Sequence, residues 1–149
     1  MSIDLRELIE QNIAAGSETI VAGPVSPDKV RSAEQMLGVE FPPSYTAFLT
    51  EYGALEIDGR SFAGLTSSEV GTAGDVVAFT KHARENYALP ERYVAIDFQD
   101  GDAFLCIDTE QKSVDNESPV VLVSPVGGQQ QGPVAADSLT DYLVRYLSN

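Results

Sequence analysis

Three aspartates lie close together in the segment DFQDGD, at Asp97, Asp100 and Asp102. Carboxylate oxygens at such short spacing could ligate calcium or magnesium. The spacing does not match an EF-hand loop, however, and no glutamate occupies the position that closes such a loop. Asp-Gly is also the dipeptide that favours a tight hairpin turn. The sequence therefore favours a turn over a metal site, and we expect neither a metal nor a cofactor.

Nucleophilic catalysis by a Ser-His or Cys-His pair would have to use His82, the single histidine. Lys81 and Arg84 lie beside it, and a solvated helix surface explains this basic cluster. Cys106, the single cysteine, falls in a predicted strand, where a small buried thiol is the simpler role. The chain also lacks a phosphate-binding loop and a nucleophile elbow. We therefore expect no enzyme activity.

Acidic residues dominate the charge: 23 Asp and Glu stand against 9 Lys and Arg, for a formal net charge of -14. Such a surface repels nucleic acids and anionic membranes but attracts basic proteins over a long range. Solubility alone would explain the same excess. Residues 91–117 concentrate the charge, with eight acidic side chains against two basic ones. This region is the best candidate for an acidic binding surface, with no nucleic acid or membrane as partner.

The length of 149 residues and the 43% hydrophobic content predict one domain over residues 1–149, in which residues 1–25 form an N-terminal helix and linker. No apolar run approaches the roughly 20 residues that span a bilayer. Acidic side chains stand where a signal peptide requires a basic start. A single cysteine also excludes an internal disulfide. The expected location is the cytoplasm.

Two neighbouring segments predict a helical hairpin. In the first, Ser26 is suited to the N-cap, Pro27 to the first helical position and Gly38 to the left-handed stop. The second begins near Pro43 and ends at Gly53. Its continuous apolar face comprises Tyr45, Phe48, Leu49 and Tyr52.

Later segments predict strands in two hairpins. Asp58-Gly59 suits a type I′ turn between short apolar strands. Asp100-Gly101 would join a longer pair, in which Gln99 faces Asp102 and Asp97 faces Phe104.

A helix between the hairpins, a further strand at PVVLVSP and a terminal helix capped by Ser138 complete the order. The predicted fold is α+β: a single antiparallel or mixed sheet of about five to six strands with helices packed on it.

The segment VSPDKVRSAEQMLGVEFPPSYTAFLTEYGALEIDGRSFAGL resembles the N-terminal signature of the SUKH superfamily, the Smi/Knr-type domains. That signature is a helix with A-E-x-x-L-G, then L/F-P-x-x-Y-x-x-F-L-x-x-Y/N-G, and then a short strand pair followed by G-L. The matching positions are Ala33-Glu34, Leu37-Gly38, Phe41-Pro42, Tyr45, Phe48-Leu49, Gly53 and Gly64-Leu65. The order of the later elements also follows the family. The chain departs from many members by having no tryptophan.

The resemblance implies an α+β domain whose bacterial members mostly act as immunity proteins for polymorphic secreted toxins, often nucleases. An acidic inhibitor would capture a basic toxin domain quickly and cover its active or substrate-binding site. The predicted contacts, chosen for their expected exposure on the two hairpins, are Asp97, Asp100, Asp102, Asp108, Glu56 and Asp58. The alternative is a non-catalytic interaction scaffold or regulator of the Smi/Knr type, without a toxin partner.

Overall fold

The computed structural model describes residues 4–72, 74–99 and 102–148. Within these ranges the chain forms five helices and six strands. The helices are α1 (Leu5–Ala14), α2 (Pro27–Leu37), α3 (Pro43–Tyr52), α4 (Val76–Tyr87) and α5 (Leu139–Leu147). The strands are β1 (Thr19–Val21), β2 (Leu55–Ile57), β3 (Arg60–Phe62), β4 (Tyr93–Gln99), β5 (Ala103–Asp108) and β6 (Val120–Val123).

The predicted helical hairpin is confirmed in α2 and α3. The Ser26 hydroxyl accepts the Lys29 N–H at 3.3 Å at the start of α2. Gly38 ends α2 in the left-handed region, at φ 70°, and its N–H donates to the Glu34 carbonyl at 2.8 Å. The apolar face of α3 is buried as expected. Capping by residues at its own ends therefore sets the limits of α2.

The strands form two antiparallel sheets, ordered β1-β2-β3 and β4-β5-β6. The predicted single sheet of five to six strands is wrong, although the α+β class is confirmed. The edges of β3 and β4 meet where the Ala63 N–H donates to the Ile96 carbonyl at 2.9 Å. Within the described ranges these edges form no paired ladder, because β3 is only three residues long and β4 bends at Ile96.

The bend is a β-bulge, since the register with β5 shifts between Ala95 and Asp97. Before it, the predicted pairing holds, with Ala95 opposite Cys106. After it, Asp97 lies opposite Leu105 and Gln99 opposite Ala103, so the predicted pairs Asp97–Phe104 and Gln99–Asp102 are wrong. The predicted turn at Asp100-Gly101 lies outside the described residues.

The segment expected to be a linker within residues 1–25 contains β1, which pairs with β2. The turn at Asp58-Gly59 is the predicted left-handed pair, with φ of 50° and 86°. Near the chain's start, the Asn12 amide donates to the Leu147 carbonyl at 3.1 Å, which ties α1 to α5. The N-terminal segment is thus part of both the sheet and the helical layer.

Two hydrophobic cores lie on opposite faces of the β4-β5-β6 sheet. The larger includes Val94 and Leu105 and extends to α1, α2, α3 and α5. The smaller includes Phe104 and Cys106 and is covered by α4. Among the residues that the structure describes, no helix combines the length and apolar character needed to cross a bilayer.

Candidate functional site

A groove follows the junction of the two sheets. Its main cavity, of about 390 Å³, lies between the outer face of the β1-β2-β3 sheet, the start of α4 and the end of β4. A second hollow of about 550 Å³ shares Ser61, Asp97 and Phe98 with it and extends to the Asp58-Gly59 turn. We call this continuous surface the seam groove and define it by Ile20, Glu56, Ser61, Phe79, Asp97 and Phe98.

Side chains on one face of the β1-β2-β3 sheet form one wall of the seam groove, because successive side chains of a strand point to opposite faces. Ile20 lies opposite Glu56, and Glu56 lies opposite Ser61, so the three side chains form a row on one face of the sheet. Their neighbours Leu55 and Phe62 point the other way and are buried. Ile20 is 63% exposed, and the Ser61 hydroxyl donates to the Glu56 carboxylate at 2.9 Å. This face thus presents an apolar side chain beside an acid.

The bulge at Ile96 builds the opposite wall. It places Phe98 opposite Phe104, and the two rings stack with centroids 4.3 Å apart. Tyr87 packs against Phe98 from α4, with ring centroids 5.7 Å apart. A one-residue register shift exchanges the faces of a strand, so the expected register would have put Phe98 on the other side. Phe98 is consequently held half-buried at the groove.

Asp97 is turned by the same bulge towards Arg60. The Arg60 Nε lies 3.1 Å from one Asp97 carboxylate oxygen, and the other oxygen accepts the Phe98 N–H at 2.9 Å. Arg60 also donates to the Tyr142 hydroxyl and lies over the Tyr146 ring, 4.7 Å from its centroid. The Asp97 side chain is only 17% exposed, so much of its charge serves this internal contact.

Three of the predicted contact residues keep accessible carboxylates. Asp58 is exposed in its turn, where it accepts the Glu18 N–H at 2.9 Å. Glu56 is half-exposed in the groove, and Asp102 is exposed at the end of the second hairpin. None of the three forms an ion pair with another described residue. Asp100 lies outside the described residues.

The expected exposure of Asp108 is wrong. Its side chain is 1% exposed, and its two oxygens accept bonds from Arg92 at 2.8 and 2.9 Å. The Gln111 amide donates a further bond at 2.7 Å. Asp108 is enclosed because its own N–H pairs with the Pro119 carbonyl at 3.0 Å, at the end of a strand with neighbours on both sides. Its carboxylate therefore organises a loop.

The single cysteine and the single histidine lie in different environments, one buried and one exposed. Cys106 is fully buried, and this burial, with a smaller effect of Asp108, raises the pKa of its thiol well above the ordinary value. His82 is exposed, with its Nδ1 3.1 Å from the Asn86 amide. The expected solvated position of Arg84 is wrong, because its guanidinium donates to the Leu37 carbonyl at 3.0 Å and links α4 to the end of α2.

The sequence interpretation missed the apolar part of the groove. The predicted linker includes Ile20, although Thr19, Ile20 and Val21 are a run of β-branched residues typical of a strand. The helical spacing of Val76, Phe79 and Ala83 predicts a buried stripe, but Phe79 is only half-buried at the groove. The predicted register, with Asp97 opposite Phe104, places Phe98 on the opposite face, because no local sequence signal reveals the bulge.

The fold and the groove define an α+β protein that presents an acidic, partly apolar groove at the junction of two antiparallel sheets. The chain belongs to the SMI1-KNR4 cell-wall family (SUKH_5), whose family model matches residues 5–148. This confirms the SUKH resemblance, and the family includes toxin immunity proteins and is generally non-enzymatic.

A crystal structure of a protein from Pseudomonas syringae pv. tomato has a similar fold, with a TM-score of 0.69 and 16% sequence identity. The similarity covers 97% of this chain and 99% of that chain. No curated protein matches the sequence. The structural similarity thus concerns the fold.

Proposed function

We propose that this chain is an immunity protein that binds a cognate secreted toxin domain, of basic charge and nuclease type, and covers its active or substrate-binding site. The observation that carries the proposal is the seam groove, where Glu56 and Asp58 present carboxylates without ion-pair partners among the described residues, beside the exposed Ile20. Membership of a family that includes toxin immunity proteins supports it.

The charge of the chain suits this role. A net charge of -14 attracts a basic domain before contact and raises the association rate. Burial of apolar side chains such as Ile20 then slows dissociation. Most differences in affinity between related complexes are differences in the dissociation rate. Inhibition by occlusion requires no catalytic group of this chain.

Fewer acidic residues are accessible to a partner than the sequence predicts. Glu56, Asp58 and Asp102 are accessible for direct pairing with Lys or Arg of the toxin. Asp97 would act by holding the adjacent Arg60 and Phe98 in place. Asp108 is excluded from direct contact by its burial.

The test begins at the gene directly upstream, where we expect a secreted protein with a C-terminal toxin domain, and co-expresses that domain with this chain. Cells that produce the toxin domain alone should stop growing, and the chain should restore growth and form a complex with the purified domain. Absence of both rescue and binding, with the chain folded, would refute the proposal for that toxin. Binding without rescue would favour the scaffold alternative.

A further inference from the structure

We propose that the seam groove receives an extended segment of the partner protein, in which an apolar side chain is flanked by Lys or Arg. The apolar side chain would occupy the main cavity between Ile20 and Phe98, and a flanking cation would pair with Glu56. This inference rests on the proposed function only for the identity of the partner as a toxin.

The apolar half of the proposal follows from exposure and shape. Ile20 is 63% exposed on a strand that faces the cavity, and Phe79 and Phe98 are half-buried on the other side. A cavity of about 390 Å³ falls within the range of roughly 300–1,000 Å³ that is usual for ligand pockets. An inserted aliphatic or aromatic side chain would remove these three side chains from water.

The basic half follows from the charges that line the cavity. These are Glu56, Asp75 and Asp97, and no Lys or Arg is among its described lining residues. Asp75 is already engaged, since it accepts the Ala78 and Gly71 N–H groups at 2.9 and 2.8 Å. Asp97 is bound to Arg60. Glu56 therefore remains as the carboxylate that can pair with a cation of the occupant.

An extended conformation follows from the walls of the groove. The strand edges of β3 and β4 meet at the bond from Ala63 to Ile96 and form no further ladder within the described ranges. From there the groove continues into the second hollow, at the Asp58-Gly59 turn. Side chains of an extended chain alternate in direction, so one can enter the cavity while its neighbours reach the acidic margin.

The experiment is an NMR titration of the ¹⁵N-labelled chain with three blocked peptides, Lys-Phe-Lys, Lys-Ser-Lys and Glu-Phe-Glu. We expect Lys-Phe-Lys to shift the amide resonances of Ile20, Glu56 and Phe98, with much smaller shifts from the other two peptides. Ile20→Lys should weaken the binding of Lys-Phe-Lys by about tenfold or more, because it removes apolar contact and adds a like charge.

Val126→Lys is the matched control, since Val126 is 83% exposed and does not line the groove. Equal shifts with the Ser or Glu peptide, or equal binding by Ile20→Lys, would overturn the inference. The same variant separates it from the proposed function. If Ile20→Lys binds and neutralises the toxin as the unsubstituted chain does, insertion of an apolar side chain into the groove is refuted, whereas an immunity role carried by the accessible acids stands. If Lys-Phe-Lys binds as expected but no toxin is neutralised, the groove assignment stands and the immunity role fails.

Discussion

A Cβ atom added to Gly64 would lie 1.8 Å from the carbonyl oxygen of Gly53, so the backbones of these two glycines are in direct contact. The Gly53 carbonyl accepts the Leu65 N–H at 2.9 Å, and the Gly64 carbonyl accepts the Val76 N–H at 2.8 Å. The contact joins the end of α3, the end of β3 and the start of α4. Two glycines of the SUKH signature thus position the base of the seam groove.

Gly64→Ala should therefore destabilise the fold by about 3 kcal/mol or more, because a methyl group cannot fit against a fixed backbone carbonyl. Gly59→Ala is the control: its Cβ would meet nothing within 4 Å, so only the left-handed φ of 86° opposes it. That strain costs about 1–2 kcal/mol. Urea denaturation gives both free energies of unfolding, and equal losses would contradict the close contact.

Replacing Arg92 should lower the free energy of unfolding more than replacing Asp108, its partner in the ion pair. Arg92→Met leaves a carboxylate that is 1% exposed without its cation, which costs about 3–5 kcal/mol. Asp108→Asn leaves a guanidinium that is 34% exposed and can be hydrated, so we expect about 1–2 kcal/mol. Thermal or urea unfolding of the two variants measures the difference. A larger loss for Asp108→Asn would show that the loop contacts of Asp108 outweigh the pair.

Arg60→Lys should destabilise the chain by about 1–3 kcal/mol even though the charge is kept. A lysine cannot both bond to Asp97 and Tyr142 and stack over the Tyr146 ring, as the planar guanidinium does. Arg31→Lys is the matched control on an exposed helix surface and should change the free energy of unfolding by less than about 0.5 kcal/mol. Similar effects at both positions would mean that the Arg60 contacts contribute little.

The buried Cys106 thiol should make stability depend on alkaline pH. Because burial raises its pKa in the folded state, the unfolded chain loses the proton first as pH rises. This contribution is fully present below the ordinary thiol pKa of about 8.5 and declines above it by up to about 1.4 kcal/mol per pH unit. Unfolding measured between pH 7.5 and 9.5 should show a steeper decline for the unsubstituted chain than for Cys106→Ser. Equal declines of stability with pH in the two proteins would contradict a raised pKa of the buried Cys106 thiol.

Electrostatic capture of the toxin should depend on charge at the groove. Glu56→Lys should lower the association rate by roughly tenfold at low salt and by much less at 1 M salt, where the screening length is about 3 Å. Glu7→Lys makes the same change of charge on α1, away from the groove lining, and should have a smaller effect. Stopped-flow association with the toxin domain measures both. Equal effects would indicate attraction by the whole molecule and no local role for Glu56.

Features that depend on neighbouring residues could be predicted from the sequence. Ser26 and Gly38 limit α2 as expected, and Asp58-Gly59 forms the expected turn, because each acts on backbone groups a few residues away. The α+β class and the SUKH family also follow from this local pattern. The charge excess is a property of composition and needs no structure to be known.

Long-range contacts determined the rest. The bulge at Ile96 lies where its carbonyl accepts the N–H of Ala63, the residue after β3, and the register shift there turns Phe98 towards the groove. Asp108 is buried because Arg92 and the strand beside it enclose the carboxylate. The helix ends, the turn and the acidity therefore follow from local sequence and composition, whereas tertiary packing sets which acids remain exposed and where the groove lies, because exposure depends on residues that are distant along the chain.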